Sequence, residues 1–496
     1  MSFSPLTLLA LTLTLLLPLL HRLTHHLTYL PFPPATPLAS LLPTTLTTTI
    51  LAPRPPYRTA HLHAAHTAHG PILRTGPRSL SLATPAAAAA IYGHAAPTAK
   101  GPLYAALAPG PHTNVLHAVD RAVHAAKRRR LAHGFSLRKT AAAWEARVRG
   151  KVAEVVAAFD GSAGADLDVA RWANLFTVEA VADLVGSWRL GCLERGDDVV
   201  AVGDGGPSVR YIASLRAGNG ATARAALWAP EWLGVVKPVL SWVSGWYRGK
   251  WEEGRGYGEL IRVLVRERVG RAEQGEVLDD KSGTPLGLDV EELEAEVGVL
   301  LDAGSDTTAI ALANVMYFLV ENPSTFAKLR KELDNNLPAG TTIPAYSSLM
   351  QLPYLRASLD EFLRIIPPVS LGLSRITPPE GMDIAGHWIP GGTTVSVPAY
   401  TLHRNPSIFP DPEEYRPERW LGGKIGEMNS AFMPFSLGAR GCIGRNITYM
   451  EQSVLVATLV RRYDFALPNP RWELEREEAF NVWPGTMPLK IKLRSE

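Results

Sequence analysis

The pattern of apolar and polar positions divides the chain into a short apolar start and a long, mainly helical body. From Leu6 to Leu20 nearly every residue is apolar, and no charge precedes Arg22. That length lies near the lower limit of the roughly 17–25 residues that span a bilayer. A membrane anchor is expected here, with a removed signal peptide or a buried helix as the alternatives. Arg22, His25 and His26 follow the stretch, which would leave the rest of the chain on the cytosolic side. Pro31-Phe32-Pro33-Pro34 would stiffen the connection. The expected organisation is an anchor over residues 1–30, a Pro-rich hinge over 31–40 and one large domain over 41–496.

Within that domain the 3.6-residue period predominates. A helix opens at Pro85, and residues 99–119 read as a loop. A basic helix runs through Asp120–Ser136, helical patterns fill 141–190, and an aromatic-rich region extends from Arg210 to Trp251. Asp289 opens a helix of about thirty residues toward Val320, long enough to cross a whole domain. Further helices start at Pro323 and Pro353, and the last follows Gly444. Strand-like runs are short: Pro77–Ala83 and two around the Pro390-Gly391 turn. The fold class is therefore mainly α with a smaller β-rich part.

Composition narrows the chemistry. The 496 residues are 46% hydrophobic, with 50 basic against 47 acidic side chains, so nucleic-acid binding has no electrostatic basis. Two cysteines, Cys192 and Cys442, exclude a disulfide framework and a four-cysteine zinc site. Cys192 has no ligand-type neighbours and reads as structural.

Cys442 differs. It lies in the Gly-rich stretch Phe435-Ser436-Leu437-Gly438-Ala439-Arg440-Gly441-Cys442-Ile443-Gly444, just before a helix. Unpaired N–H groups and the positive end of the helix dipole favour a thiolate there. A thiolate is a strong axial ligand for haem iron. Gly438, Gly441 and Gly444 would let backbone lie against a flat macrocycle, and Arg440 could pair with a propionate. The alternative is a buried structural cysteine in a turn. A second irregularity interrupts the long helix at Ala303-Gly304-Ser305-Asp306-Thr307-Thr308, where glycine and adjacent polar residues cost stability unless they serve a function.

The pattern F-x-x-G-x-R-x-C-x-G resembles the haem-binding loop of the cytochrome P450 family, and A-G-x-D-T-T resembles that family's oxygen-activating helix segment. Glu361-x-x-Arg364 and Pro417-Glu418-Arg419-Trp420 follow in the family's order. The resemblance covers residue 35 to the C-terminus and implies the cytochrome P450 fold, with haem b held by Cys442, Phe435, Gly438 and Arg440. It implies that His124, Arg128 and Arg375 meet the propionates, that Asp306 and Thr307 deliver protons, and that Gly304 lets backbone approach oxygen. It also implies that Glu361, Arg364 and Arg419 form a buried structural network. Leu300, Ala303, Val369, Leu371, Val482 and Trp483 would line the substrate pocket, beneath the aromatic-rich region.

Some residues keep two readings. Lys127 and Arg130 suit a solvated basic face, which could also meet an acidic reductase. His403 suits a propionate or the core. The Trp-rich segment suits core packing or a membrane interface. The implied activity is insertion of one oxygen atom into a lipophilic small molecule, most like fungal microsomal enzymes of secondary metabolism. Electrons would come from NADPH through a cytochrome P450 reductase, with cytochrome b5 as a further partner, at the endoplasmic reticulum membrane. A haem-thiolate isomerase or dehydratase, and a non-catalytic haem protein, are the alternatives.

Overall fold

The computed structural model describes residues 58–494, apart from 77, 109, 138–142, 163, 204, 229, 274–288 and 424. The anchor and hinge, and the first part of the domain, lie outside the described residues. Among those described, no helix is long and apolar enough to cross a membrane.

Seven helices position the site: α1 (Arg121–Ala132), α2 (Val169–Gly186), α3 (Tyr211–Trp228), α4 (Gly245–Glu273), α5 (Val290–Glu321), α6 (Pro353–Ile365) and α7 (Arg445–Arg462). The long helix α5 has 32 residues and so spans about 48 Å. Its N-cap Asp289 accepts from the Glu292 N–H at 2.6 Å, and Glu291 and Glu292 complement the dipole. Its C-terminal half is buried on all sides, because Ala309–Val320 carries almost no charge and meets α2, α6 and α7. Two helix contacts depend on glycine. A Cβ on Gly304 would stand 2.6 Å from Val181 Cγ2 of α2, so that residue's absent side chain sets how close α2 and α5 lie. A Cβ on Gly254 of α4 would stand 2.6 Å from the Gly218 Cα of α3, so these two backbones touch directly.

The β-rich part is a five-stranded sheet with order β1-β2-β5-β4-β3, from β1 (Ile72–Gly76), β2 (Ser79–Leu82), β3 (Ala99–Lys100), β4 (Arg375–Ile376) and β5 (Thr394–Ser396). The two runs around Pro390-Gly391 do not pair with each other. His387–Ile389 pairs with Met382–Ile384, while β5 joins β2 in parallel. Residues 99–119, expected as a loop, contain β3 and a helix, Pro102–Leu107. A C-terminal hairpin of β6 (Arg476–Glu478) and β7 (Val482–Pro484) reaches α5.

Candidate active site

A cavity of about 1250 Å³ lies between α5, the Cys442 loop, α3 and α4. It is larger than the roughly 300–1,000 Å³ of ordinary ligand pockets, leaving room for a large cofactor with a substrate above it. Cys442, at the N-terminus of α7, and Thr307, in the middle of α5, both line it. The loop holds its shape through the Cys442 N–H, which donates to the Phe435 carbonyl at 2.8 Å, and through two left-handed residues, Ser436 (φ 58°) and Gly438 (φ 66°). A Cβ at Gly438 would collide with the Tyr92 carbonyl oxygen. Burial pushes the Cys442 thiol up, against the pull of the Gly444 and Arg445 N–H groups and of Arg128 and Arg445. Cys442 is exposed to the cavity, and a bound metal cation would favour its thiolate.

The cavity floor is strongly cationic, with Asp120 acting on one of its members, Arg440. Lys100, Arg128, Arg375, Arg440 and His124 all line it. Arg128 donates to the Gly441 carbonyl at 2.6 Å, Arg375 to Tyr104 Oη at 3.1 Å, and Arg440 to the Ala118 carbonyl at 2.7 Å. Lys100 donates to the Val115 and Leu116 carbonyls. Burial and the neighbouring cations both act on two of them. Lys100 is pulled down to about 6 by burial and by Arg440, Arg375 and Arg128. His124 falls to about 3 through burial and the same cluster. Such a set is completed by a dianion, and the two propionates of a haem above Cys442 fit that requirement.

On the opposite wall Asp306 is fully engaged. Its Oδ1 accepts from Arg216 Nε at 2.9 Å, and its Oδ2 accepts from Trp483 Nε1 at 2.6 Å and Asn481 Nδ2 at 2.7 Å. Thr307 Oγ1 donates to the Ala303 carbonyl at 2.8 Å. On α6, whose Leu363 lines the cavity, Glu361 Oε1 accepts from Arg364 Nη2 (2.9 Å) and Arg419 Nε (2.8 Å), while Oε2 accepts from Arg364 Nε (3.0 Å). Trp420 adds an indole N–H to Oε2 at 2.8 Å, a bond that phenylalanine could not make.

A family model for cytochrome P450 matches residues 58–492. The chain belongs to the cytochrome P450 family. It is a haem-thiolate monooxygenase whose cofactor is haem b and whose electrons come from a partner reductase. Among its relatives, the cytochrome P450 monooxygenase tpeC of Talaromyces stipitatus is 30% identical over 449 residues, covering 86% of this chain and 83% of tpeC. Benzoate 4-monooxygenase bphA of Aspergillus niger is 29% identical over 476 residues, covering 90% of each chain. The cytochrome P450DA haem domain shares the fold, with a TM-score of 0.71 at 19% identity over 94% of this chain and 96% of that one.

Several expectations are corrected in this P450. Val482 lies in the main core with its N–H donating to the Pro368 carbonyl at 3.0 Å, and the cavity is lined instead by its neighbours Asn481 and Trp483. Trp483 is as much a partner of Asp306 as a pocket wall. Gly304 does not line the cavity; it serves the contact with Val181. His403 is fully buried, its Nε2 accepting from the Met433 N–H at 2.9 Å, which makes it a core residue. Lys127 is no solvated charge but a buried partner of Glu292 (2.6 Å) and Glu296 (2.9 Å), and Arg130 pairs with Glu292 at 3.3 Å. Leu300, Ala303, Val369 and Leu371 do line the cavity. Sequence reasoning passed over Lys100, Arg216 and Asp302. The first is a lone lysine in a two-residue strand, with no pattern to mark it. Arg216 could have been noticed as a charge on an otherwise Ala-rich helix.

Proposed function

We propose that this P450 hydroxylates or epoxidises a lipophilic small molecule as a tailoring step of fungal secondary metabolism. The observation that carries the reading is the cavity itself, with Cys442 and the cationic floor on one side and Thr307, Leu300, Ala303, Val369 and Leu371 on the other. In this reading the Cys442 thiolate would hold the haem iron. Lys100, Arg128, Arg375, Arg440 and His124 hold the propionates, and the Glu361–Arg364–Arg419 cluster keeps the floor rigid. Thr307 and Asp306 would hold and pass the protons that oxygen activation consumes. Asp306 is fully engaged by donors, so this role needs movement of Arg216 or of the β6–β7 turn. NADPH–cytochrome P450 reductase supplies the electrons, with cytochrome b5 as a further donor. The enzyme sits on the endoplasmic reticulum through residues 1–30, and the exposed Val235, Trp242 and Trp246 support contact with the same membrane. A benzoate-type substrate is disfavoured, because a carboxylate would face Asp302 as well as Asp306.

The test is the carbon monoxide difference spectrum of the reduced protein beside Cys442→Ala. We expect a strongly red-shifted Soret band in the wild type and none in the variant. A band at the position of a histidine-ligated haem would overturn the assignment. Thr307→Ala should divert NADPH equivalents into hydrogen peroxide; fully coupled turnover in that variant would remove Thr307 from proton delivery.

A further inference from the structure

The cavity wall formed by α3 and α5 carries a charge that the oxygen chemistry does not use. Asp302 lines the cavity one turn before Asp306. Residues four apart share a helix face, so the two carboxyls are neighbours. Their surroundings differ. Asp306 takes Arg216, Trp483 and Asn481. Asp302 takes one neutral donor, Asn219 Nδ2, at 2.9 Å, its sole polar partner among the described residues. Arg216 gives its Nε to Asp306 and its Nη2 to Asn174 Oδ1, each at 2.9 Å. Tyr257, facing from α4, donates to the Gly298 carbonyl at 2.8 Å. Arg255, also on α4, is 69% exposed and turned toward Glu252. Around this wall the cavity is lined by Asp302 and Asp306, with Glu291 and Glu294 further along α5, and by Arg216, Lys237, Arg255 and Arg262.

A carboxyl enclosed in a largely apolar cavity with one neutral partner is unfavourable as a charge until a cation arrives. We propose that Asp302 binds the ammonium group of a lipophilic amine, the substrate of this P450. This rests on the reading of the cavity as the substrate site, and it narrows the class from lipophilic to cationic amphiphile. The apolar body of such a molecule would lie on Leu215, Ile261, Val299 and Leu300, which line the same cavity. Thr307 follows Asp302 by five residues, or about 7.5 Å along the axis, on a different helix face. The oxidised carbon should therefore lie some way along the molecule from the nitrogen.

The experiment uses two probes of equal shape and different charge, trimethyl(4-phenylbutyl)ammonium and its neutral isostere (5,5-dimethylhexyl)benzene. A quaternary nitrogen neither ligates iron nor loses a proton. Dissociation constants are measured by equilibrium dialysis on the haem-loaded full chain and on Asp302→Asn, which keeps the Asn219 contact. We expect the variant to weaken the ammonium at least tenfold and to leave the neutral probe within twofold. Equal effects on both probes, or none on either, would overturn the proposal. Should the variant fail to fold, wild type alone decides. Burial and Asp306 raise the Asp302 carboxyl to about 7, so ammonium binding should tighten from pH 6 to 8.5 while the neutral probe stays constant. The other groups near Asp302 are Tyr211, Arg216 and Asn219 of α3, Tyr257 of α4, and the cavity-lining Arg255 and Arg262 of α4. An unchanged ammonium affinity across that range would also refute it. The carbon monoxide spectrum of the same sample separates the two readings. A thiolate band without ammonium selectivity removes only this inference, and selectivity without the band removes only the oxygenase.

Discussion

Gly438 is the single residue on which the ligand loop depends most. Its φ of 66° is left-handed, and the Tyr92 carbonyl oxygen occupies the place a side chain would take. Gly438→Ala should cost about 1–2 kcal/mol for the backbone alone, with the collision in addition. Its measurable form is loss of haem from the purified protein at a temperature where wild type retains it. Retention equal to wild type would show that the loop can adjust. Lys100 illustrates the opposite relation between a residue and its surroundings. A base held down to about 6 in the folded state, against its usual 10.5, is a burden on the haem-free fold. The unfolded chain binds the extra proton, so this burden is absent above pH 10.5 and grows as pH falls toward 6. Haem-free Lys100→Met should therefore melt above haem-free wild type at pH 7–8, and the difference should shrink toward pH 10. With haem bound the order should reverse. Thermal unfolding of both forms across that range decides the matter; a pH-independent difference would contradict it.

At the scale of elements, α5 joins two surfaces with opposite demands. One side faces α2, where Val181 fills the space next to Gly304; the other lines the cavity with Ala303 and Thr307. Gly304→Ala gains up to about 1 kcal/mol of helix propensity but overpacks the helix contact by about 1–3 kcal/mol. Net destabilisation is expected, and a second substitution, Val181→Ala, should restore the denaturation midpoint. A stable single variant would mean that the helices separate freely. The glycine's presence was legible in the chain, whereas its partner was not, because Val181 lies more than a hundred residues away. The same holds for the hairpin of β6 and β7. Nothing local to it says that it grips Asp306. Elements fixed by local pattern, such as α5 and α6, follow from periodicity and caps. Short strands such as β3 are set by their sheet neighbours, so nothing local announces them. Val482 was misassigned for a related reason: alternation along a strand places one residue inward and the next outward, and the sequence does not say which is which.

Over the whole molecule, the ligand loop, the interrupted helix and the Glu361 cluster come from distant parts of the chain and meet around one cavity. Their motifs were legible because each carries an unusual local composition. The charge distribution was not. The cations of the floor arise from four separate segments, and the acidic wall from one helix face opposed to α3. Together they give the cavity a polarity, positive near Cys442 and negative near Asp302. A ligand with one cationic end is thereby oriented as well as bound, and that orientation chooses which carbon is presented for oxidation.

The contact of Gly218 with Gly254 has a consequence for anyone altering this enzyme. Two helices that meet backbone to backbone are pinned at a point, so the roof they form can tilt about that point but cannot slide along it. Exchange of Leu215, Asn219 or Thr222 would then change the shape of the chamber while its frame stays in register. A side chain at either glycine would shift the entire roof, and a library that randomised those two positions would spend most of its members on misassembled proteins.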